Sequence, residues 1–481
     1  MLKLYASFST SVRTHPWTDP MAAIRVVRLF APLLAIAGLR AYATSPPSTT
    51  SASPLASDVA TIQQAAASMH PESSFSVDPK RLKSALAAVP ARPLAGMSRD
   101  EAWLNLSRLN PVLADGHFFV GYPSWRDEAA DHLKDGGRLF PFEVMVSNDG
   151  AVRVVANLGG APTPLAGRTI RSINGVSTRT ITNELLRHVH GDSARFRSGL
   201  LSDRWWFFYW KVYGAPNDFV IGLDGSTRTP TKMAASSAVP AVIAAEQSFE
   251  RQFALELRSE QSAVLTLNTF AWPNAEQFKT FAASAFEKME RAGTRTLIID
   301  ARRNGGGDDA LWLEGVLPYI ADKPYRWAST YTKRVLRTDP AKGEVAGEVR
   351  SGSIDTWSTP DPKQPHRFRG KVYVLIGRTT YSSAVLFANT MHDFGFGTLV
   401  GEGQSVRRKQ SGGVQKIDLP ATGLSLWVPR FILTPPAGDK GYWLTPDVEI
   451  SDDGINPGAM VEAVLKRASA DQASGAASPL R

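Results

Sequence analysis

From Ala263 onward the chain keeps returning to one unit, a short apolar run, a turn and an amphipathic segment, and few architectures accept that order. The runs at 263–270, 296–300, 371–377 and 398–401 are apolar enough for strands buried on both faces. The segments 275–291, 309–320 and 384–394 between them carry helical spacing. The alternation predicts an α/β fold with a mostly parallel sheet and helices on both faces. Sheets of this kind bind ligands beyond the carboxyl ends of their strands. Two unusual turns fall there: Asn304-Gly-Gly-Gly307 after one strand and Arg378-Thr-Thr-Tyr-Ser-Ser383 after the next.

Ser382 and Ser383 sit at a helix start. A serine there either caps the helix, accepting an early backbone N–H, or holds its hydroxyl free at a sharp strand-to-helix turn. The glycine run tips the balance toward chemistry, because three residues without Cβ let a carbonyl approach main-chain donors, as an oxyanion site requires.

With these pieces in order, the chain resembles the S41 peptidase family, which includes the tail-specific (C-terminal processing) proteases and the tricorn core. The resemblance rests on Asp300-Ala-Arg-Arg-Asn-Gly-Gly-Gly307, Tyr381-Ser-Ser-Ala-Val-Leu-Phe-Ala388, Gly395-Phe-Gly-Thr-Leu-Val-Gly-Glu402 and Thr445-Pro-Asp-Val-Glu-Ile450. It covers residues 250 to 455 well and 95 to 185 weakly. It implies an S41/ClpP-crotonase-like core and a serine-type peptidase that needs no cofactor. Ser382 would be the nucleophile, with Ser383 as the alternative one residue on. The backbone of Ser383 and of Gly306 or Gly305 would form the oxyanion hole. Val385 departs from the pattern, since many relatives carry an acid there.

A serine hydroxyl needs a base. In the processing-protease branch the base is a lysine after Gly-Glu-x-Thr-x-Gly; here Gly401-Glu-Gly-Gln-Ser-Val-Arg407 puts an arginine in that place, and a guanidinium stays protonated. Lys409 could substitute only through a local bulge. The tricorn branch uses a histidine from an earlier domain, and Leu113-Ala-Asp-Gly-His117-Phe-Phe-Val-Gly121 resembles the segment carrying it. His117 is therefore the expected base, with an ordinary pKa of ~6.5 suited to proton transfer at neutral pH. Asp439 is the expected third member of the triad, with Asp447 the alternative and more readily a turn-fixing residue.

The N-terminal part reads as an export signal. Residues 1–43 offer a basic segment at 21–28, an apolar run at 29–39 and an Ala41-Tyr-Ala43 cleavage site, with residues 1–20 an extension ahead of the true start. The apolar run is too short for a membrane span, so the mature protein is expected to be exported, periplasmic or secreted, with no integral span. Residues 44–56 form a Ser/Thr/Pro linker expected to be disordered. Residues 57–130 form a helical cap carrying His117, from helices at 57–69, 78–88 and 98–109. Residues 135–225 form a PDZ-like β-rich module, from Gly167-Arg-Thr-Ile-Arg-Ser-Ile-Asn-Gly175. Residues 250–455 form the catalytic domain and 468–481 a mobile tail. PDZ modules bind peptide ends by strand addition.

Composition narrows the chemistry further. The 481 residues contain no cysteine, which excludes disulfides, iron–sulfur clusters and thiol catalysis. The net charge of +9 is scattered, without a finger or basic helix, so nucleic acid is not an expected partner. His188 and His190 alternate, but on a helix such a pair points apart and no carboxylate set accompanies it, so no metal is expected. The aromatic run 204–210 is expected to pack between domains. The expected function is peptidase action on exported polypeptides, unfolded or at their C-terminal segments. The alternatives are an inactive S41-fold protein binding a peptide or apolar ligand, or an envelope scaffold. Oligomeric state is not legible.

Overall fold

Along Thr296–Asp300 and Lys371–Ile376 successive side chains point to opposite faces, and both faces are apolar. In the computed structural model, which describes residues 54–89, 97–225, 230–258 and 261–476, the two strands therefore lie between two helical layers. Leu297, Ile299, Val372 and Val374 pack with Phe278, Ala285 and Phe286 of the helix Ala275–Arg291 and with Val385, Phe387 and Met391 of the helix Ser383–Asp393. Ile298, Tyr373, Leu375 and Val400 pack on the other side with Met460, Val461 and Val464 of the helix Gly458–Ala476.

The sheet runs Val448–Glu449, Thr398–Gly401, Lys371–Ile376, Thr296–Asp300, Ser262–Leu267, Phe253–Arg258. Its first five strands are parallel and the last is antiparallel. Every other paired strand of the described residues is antiparallel, so the molecule is mixed α/β and the mostly parallel expectation needs correcting. The apolar runs carried that expectation, and they mark buried strands without fixing the direction of the remaining sheets.

Helices at Pro54–Met69, Pro79–Ala87 and Arg99–Leu106 form the N-terminal layer. Ser98 and Glu101 close a capping box, and Asp78 caps the helix that begins at Pro79. The fully buried Asp58 accepts hydrogen bonds from Thr422 N and Oγ1 at 2.9 and 2.7 Å. That ties the first helix to the turn between Gln415–Leu419 and Leu424–Val428. The strand Phe119–Gly121 pairs with Leu424–Val428, so the segment carrying His117 joins the C-terminal half directly. An antiparallel sheet of Phe142–Val146, Val152–Asn157, Thr169–Ile173, Asp218–Leu223 and Thr231–Ala234 occupies the middle region, with the helix Thr178–Leu186 after a hairpin through Gly175. The aromatic run lies on the helix Trp205–Tyr213, where Trp205, Trp206, Phe207, Phe208 and Tyr209 are buried core.

The last helix continues to Ala476, so residues 468 to 476 of the expected tail are helical. The expectations for residues 1–43 and for 44–53 of the linker lie outside the described residues, while 54–56, expected to be disordered linker, begin the helix Pro54–Met69. Among the described residues no helix is long and apolar enough to cross a membrane.

Candidate active site

Ser382 adopts φ 54° and ψ −127°, a region that side-chain-bearing residues rarely enter. The turn is held from both ends. Thr380 Oγ1 donates to Ala301 O at 2.8 Å, Tyr381 N donates to Asn304 O at 3.0 Å, and Ser382 N donates to the buried Gln410 Oε1 at 2.9 Å. The helix Ser383–Asp393 starts there, with Ser382 O accepting from Val385 N and Leu386 N. The Ser382 side chain makes no capping hydrogen bond, which removes the capping explanation for this serine. Its hydroxyl stands at a strained strand–turn–helix junction of the kind that exposes a nucleophile. Ser383 differs: it is buried, and its Oγ donates to Asp309 Oδ1 and accepts from Trp312 Nε1 at 2.9 Å. That hydroxyl is fully used.

The glycine run closes the other side. An added Cβ on Gly306 would stand 2.6 Å from Ser382 Cβ, 2.8 Å from Tyr381 O and 3.0 Å from Ser383 N, and φ is +100°. Only glycine fits. The buried Asn304 shapes this loop, its Nδ2 donating to Leu267 O and its Oδ1 accepting Gly306 N–H, both at 2.9 Å. This corrects one expectation: the Gly306 N–H is already engaged, so Gly306 supplies space rather than a donor. The backbone N–H groups of Ser383 and Gly305 have no acceptor among the described residues.

His117 arrives on the loop before Phe119–Gly121. Its ring packs on Tyr381 with centroids 4.8 Å apart, beside Ser382 in the chain. Gly116 permits this approach, since a Cβ there would lie 2.6 Å from the Tyr381 ring. His117 Nδ1 lies 3.0 Å from Ser411 Oγ, which donates to Asp115 Oδ1 at 2.9 Å. With that proton committed, Ser411 Oγ accepts from Nδ1–H, and Nε2 keeps its lone pair, the tautomer a general base needs. Burial lowers the pKa of His117, and Asp115 opposes the shift.

Asp439 is not the partner of this imidazole. It pairs with Lys409 Nζ at 2.8 Å on the surface, which also engages the alternative base. Asp447 accepts Leu399 N–H at 2.8 Å and fixes the Thr-Pro-Asp turn. Ser411 and Asp115 were missed from sequence. Asp115 stands two residues before His117, and its Oδ1 accepts the His117 N–H at 2.7 Å, a short-range Asp-x-His signal. Ser411 carried none.

Arg407, in the place of the branch lysine, points away from base chemistry. Its guanidinium lies 3.2 Å from Asp192 Oδ1, and it donates to Ala114 O and to Tyr442 Oη, each at 2.8 Å. Burial opposes its charge, but Asp192 and Asp115 more than offset this and its pKa is raised. His188 is a core residue, with Nδ1 2.7 Å from Ser107 Oγ and its ring stacked on Trp103. The described residues hold no cluster of three or more His, Cys, Asp or Glu suited to a metal.

Residues 261–450 match the model of peptidase family S41. Over those residues the chain is similar to the S41 peptidases. The match supports a serine-type peptidase, and with it a polypeptide substrate. Mature CPAF complexed with lactacystin is similar at TM-score 0.60 and 13% identity, over 86% of this chain and 97% of that one. Mature CPAF alone gives 0.59, 13%, 86% and 96%. The photosystem II D1 C-terminal processing protease aligns at TM-score 0.44 and 16% identity, over 82% and 92% of the two chains. At such identity the CPAF likeness establishes the shared fold. No curated protein matches the chain.

Proposed function

We propose that this chain hydrolyses peptide bonds with Ser382 as nucleophile and His117 as general base. Ser382 Oγ attacks the scissile carbonyl and His117 Nε2 takes its proton, returning it to the leaving amine. The N–H groups of Ser383 and Gly305 face the developing oxyanion. Ser411, backed by Asp115, replaces an aspartate as the group that fixes the imidazole tautomer. One observation carries the reading: the Ser382 side chain sits in a strained turn without serving as a helix cap, next to the tyrosine against which His117 packs.

The substrates are exported polypeptides, unfolded or at their C-terminal segments. Supporting this are the basic and apolar pattern of residues 21–43 and the hairpin–helix at 169–186, whose Gly-x-x-Ile-x-x-Ile-Asn-Gly segment is PDZ-like. Strand addition to that module would deliver a chain end. The test is digestion of denatured casein by the purified chain beside Ser382→Ala and His117→Ala, with cell fractionation for location. Casein cleavage that survives Ser382→Ala would refute the nucleophile, and cleavage that survives His117→Ala would refute the base.

A further inference from the structure

Asp192 lies on the loop between the helices Thr178–Leu186 and Ala194–Asp203, outside the segments that carry the nucleophile and the base. Its buried carboxylate gathers donors from three other parts of the chain. Oδ1 accepts from Gly116 N at 3.2 Å, lies 2.9 Å from the Tyr381 hydroxyl, which is also 3.2 Å from Asp115 Oδ1, and faces the Arg407 guanidinium at 3.2 Å. Oδ2 accepts from Arg407 N at 3.0 Å. Gly116 precedes the base and Tyr381 precedes the nucleophile, so one carboxylate holds the neighbours of both. Gly116 N also lies 3.0 Å from the Tyr381 hydroxyl, and the Arg407 guanidinium donates to Ala114 O, closing the circuit from the opposite side.

We propose that Asp192, with Arg407 as its counter-ion, is a positioning residue that sets the separation of the His117 imidazole and the Ser382 hydroxyl. The assignment rests on the Ser382–His117 reading. It gives the middle module a part in catalysis besides any peptide binding. Its logic is geometric: each loop could move alone, but a shared, solvent-excluded acceptor fixes one against the other. An isolated buried carboxylate would be costly, and the adjacent guanidinium makes it tolerable.

The test compares Tyr381→Phe, Asp192→Asn and Asp192→Ala with the parent chain. Readouts are steady-state digestion of a quenched casein peptide, the rate of fluorophosphonate labelling of Ser382, and thermal melting. Tyr381→Phe keeps the ring against His117 and removes only the hydroxyl. It is expected to lower kcat and the labelling rate about 10- to 100-fold, the range for a hydrogen bond to a charged group, with KM unchanged. Asp192→Asn keeps one acceptor oxygen and is expected to lie between parent and Asp192→Ala. A folded Tyr381→Phe that turns over at the parent rate overturns the assignment, and this variant decides alone if the Asp192 variants do not fold. If Ser382→Ala is inactive while Tyr381→Phe is fully active, only the positioning role falls. If Ser382→Ala is active, the underlying reading falls instead.

Discussion

Gly306 stands directly against Ser382: a methyl group at 306 would lie 2.6 Å from the serine Cβ, closer than side-chain carbons pack. The glycine wall and the nucleophile turn are two surfaces of one close contact.

Gly306→Ala therefore forces the two apart. The left-handed φ adds about 1–2 kcal/mol of strain and the overlap about 1–3 kcal/mol more. The variant is expected to melt several degrees lower and to lose activity beyond what the unfolded fraction explains. Melting curves and casein digestion at a temperature where it remains folded check this.

As the proposed base, His117 is expected to contribute to the acid limb of the pH–rate profile, beside Asp192, whose carboxyl burial pushes up to about 6. The folded-state pKa of His117 lies below the ordinary imidazole value, because burial disfavours the charged ring. The neutral base therefore persists below ~6.5, and its contribution to the limb comes only as pH drops through the lowered value. The sign for stability is the same: the unfolded chain binds a proton first, so this group's contribution is lost as pH falls below ~6.5. A kcat/KM profile whose acid limb lies above pH 6.5 would contradict the assignment.

Ser411→Ala removes the acceptor of His117 Nδ1–H and one donor to Asp115, whose Oδ2 is already buried without a partner. Loss of about 10- to 100-fold in kcat is expected, smaller than for His117→Ala, with KM little changed. Initial rates for the two variants under identical conditions decide it.

Ser383→Ala and Lys409→Ala separate the expected nucleophile and base from their sequence neighbours. Ser383→Ala loses the bonds to Asp309 and Trp312, costing about 1–3 kcal/mol of stability, yet should still be labelled by a fluorophosphonate. Lys409→Ala breaks a surface pair worth at most about 1 kcal/mol and should retain full activity. An unlabelled but folded Ser383→Ala, or an inactive Lys409→Ala, would reassign the chemistry.

Part of this was legible in the sequence. Strands buried on both faces are uniformly apolar, so the runs ending at Asp300 and Ile376 announced themselves, and the two turns carrying the glycines and serines followed. The capping box at Ser98 and the burial of 205–209 were local matters of spacing and apolarity. What was missed depends on contacts through space. The orientation of His117 by Ser411 joins residues far apart in the chain, and no spacing rule links them. The engagement of Gly306 N by Asn304 is a local turn, but its effect on the donor set shows only beside Ser382. Ala468 opens a stretch that looks featureless, yet with Val461 and Val464 it packs in the core beneath the sheet, and the helix runs on through it.

The hydrogen bond from Gly116 to Tyr381 spans 265 positions of the polypeptide. A growing chain that has reached only the strand Lys371–Ile376 already owns its imidazole but has no hydroxyl for it to activate. If the two act together as proposed, the pair is complete only once the residues beyond Ile376 have been added.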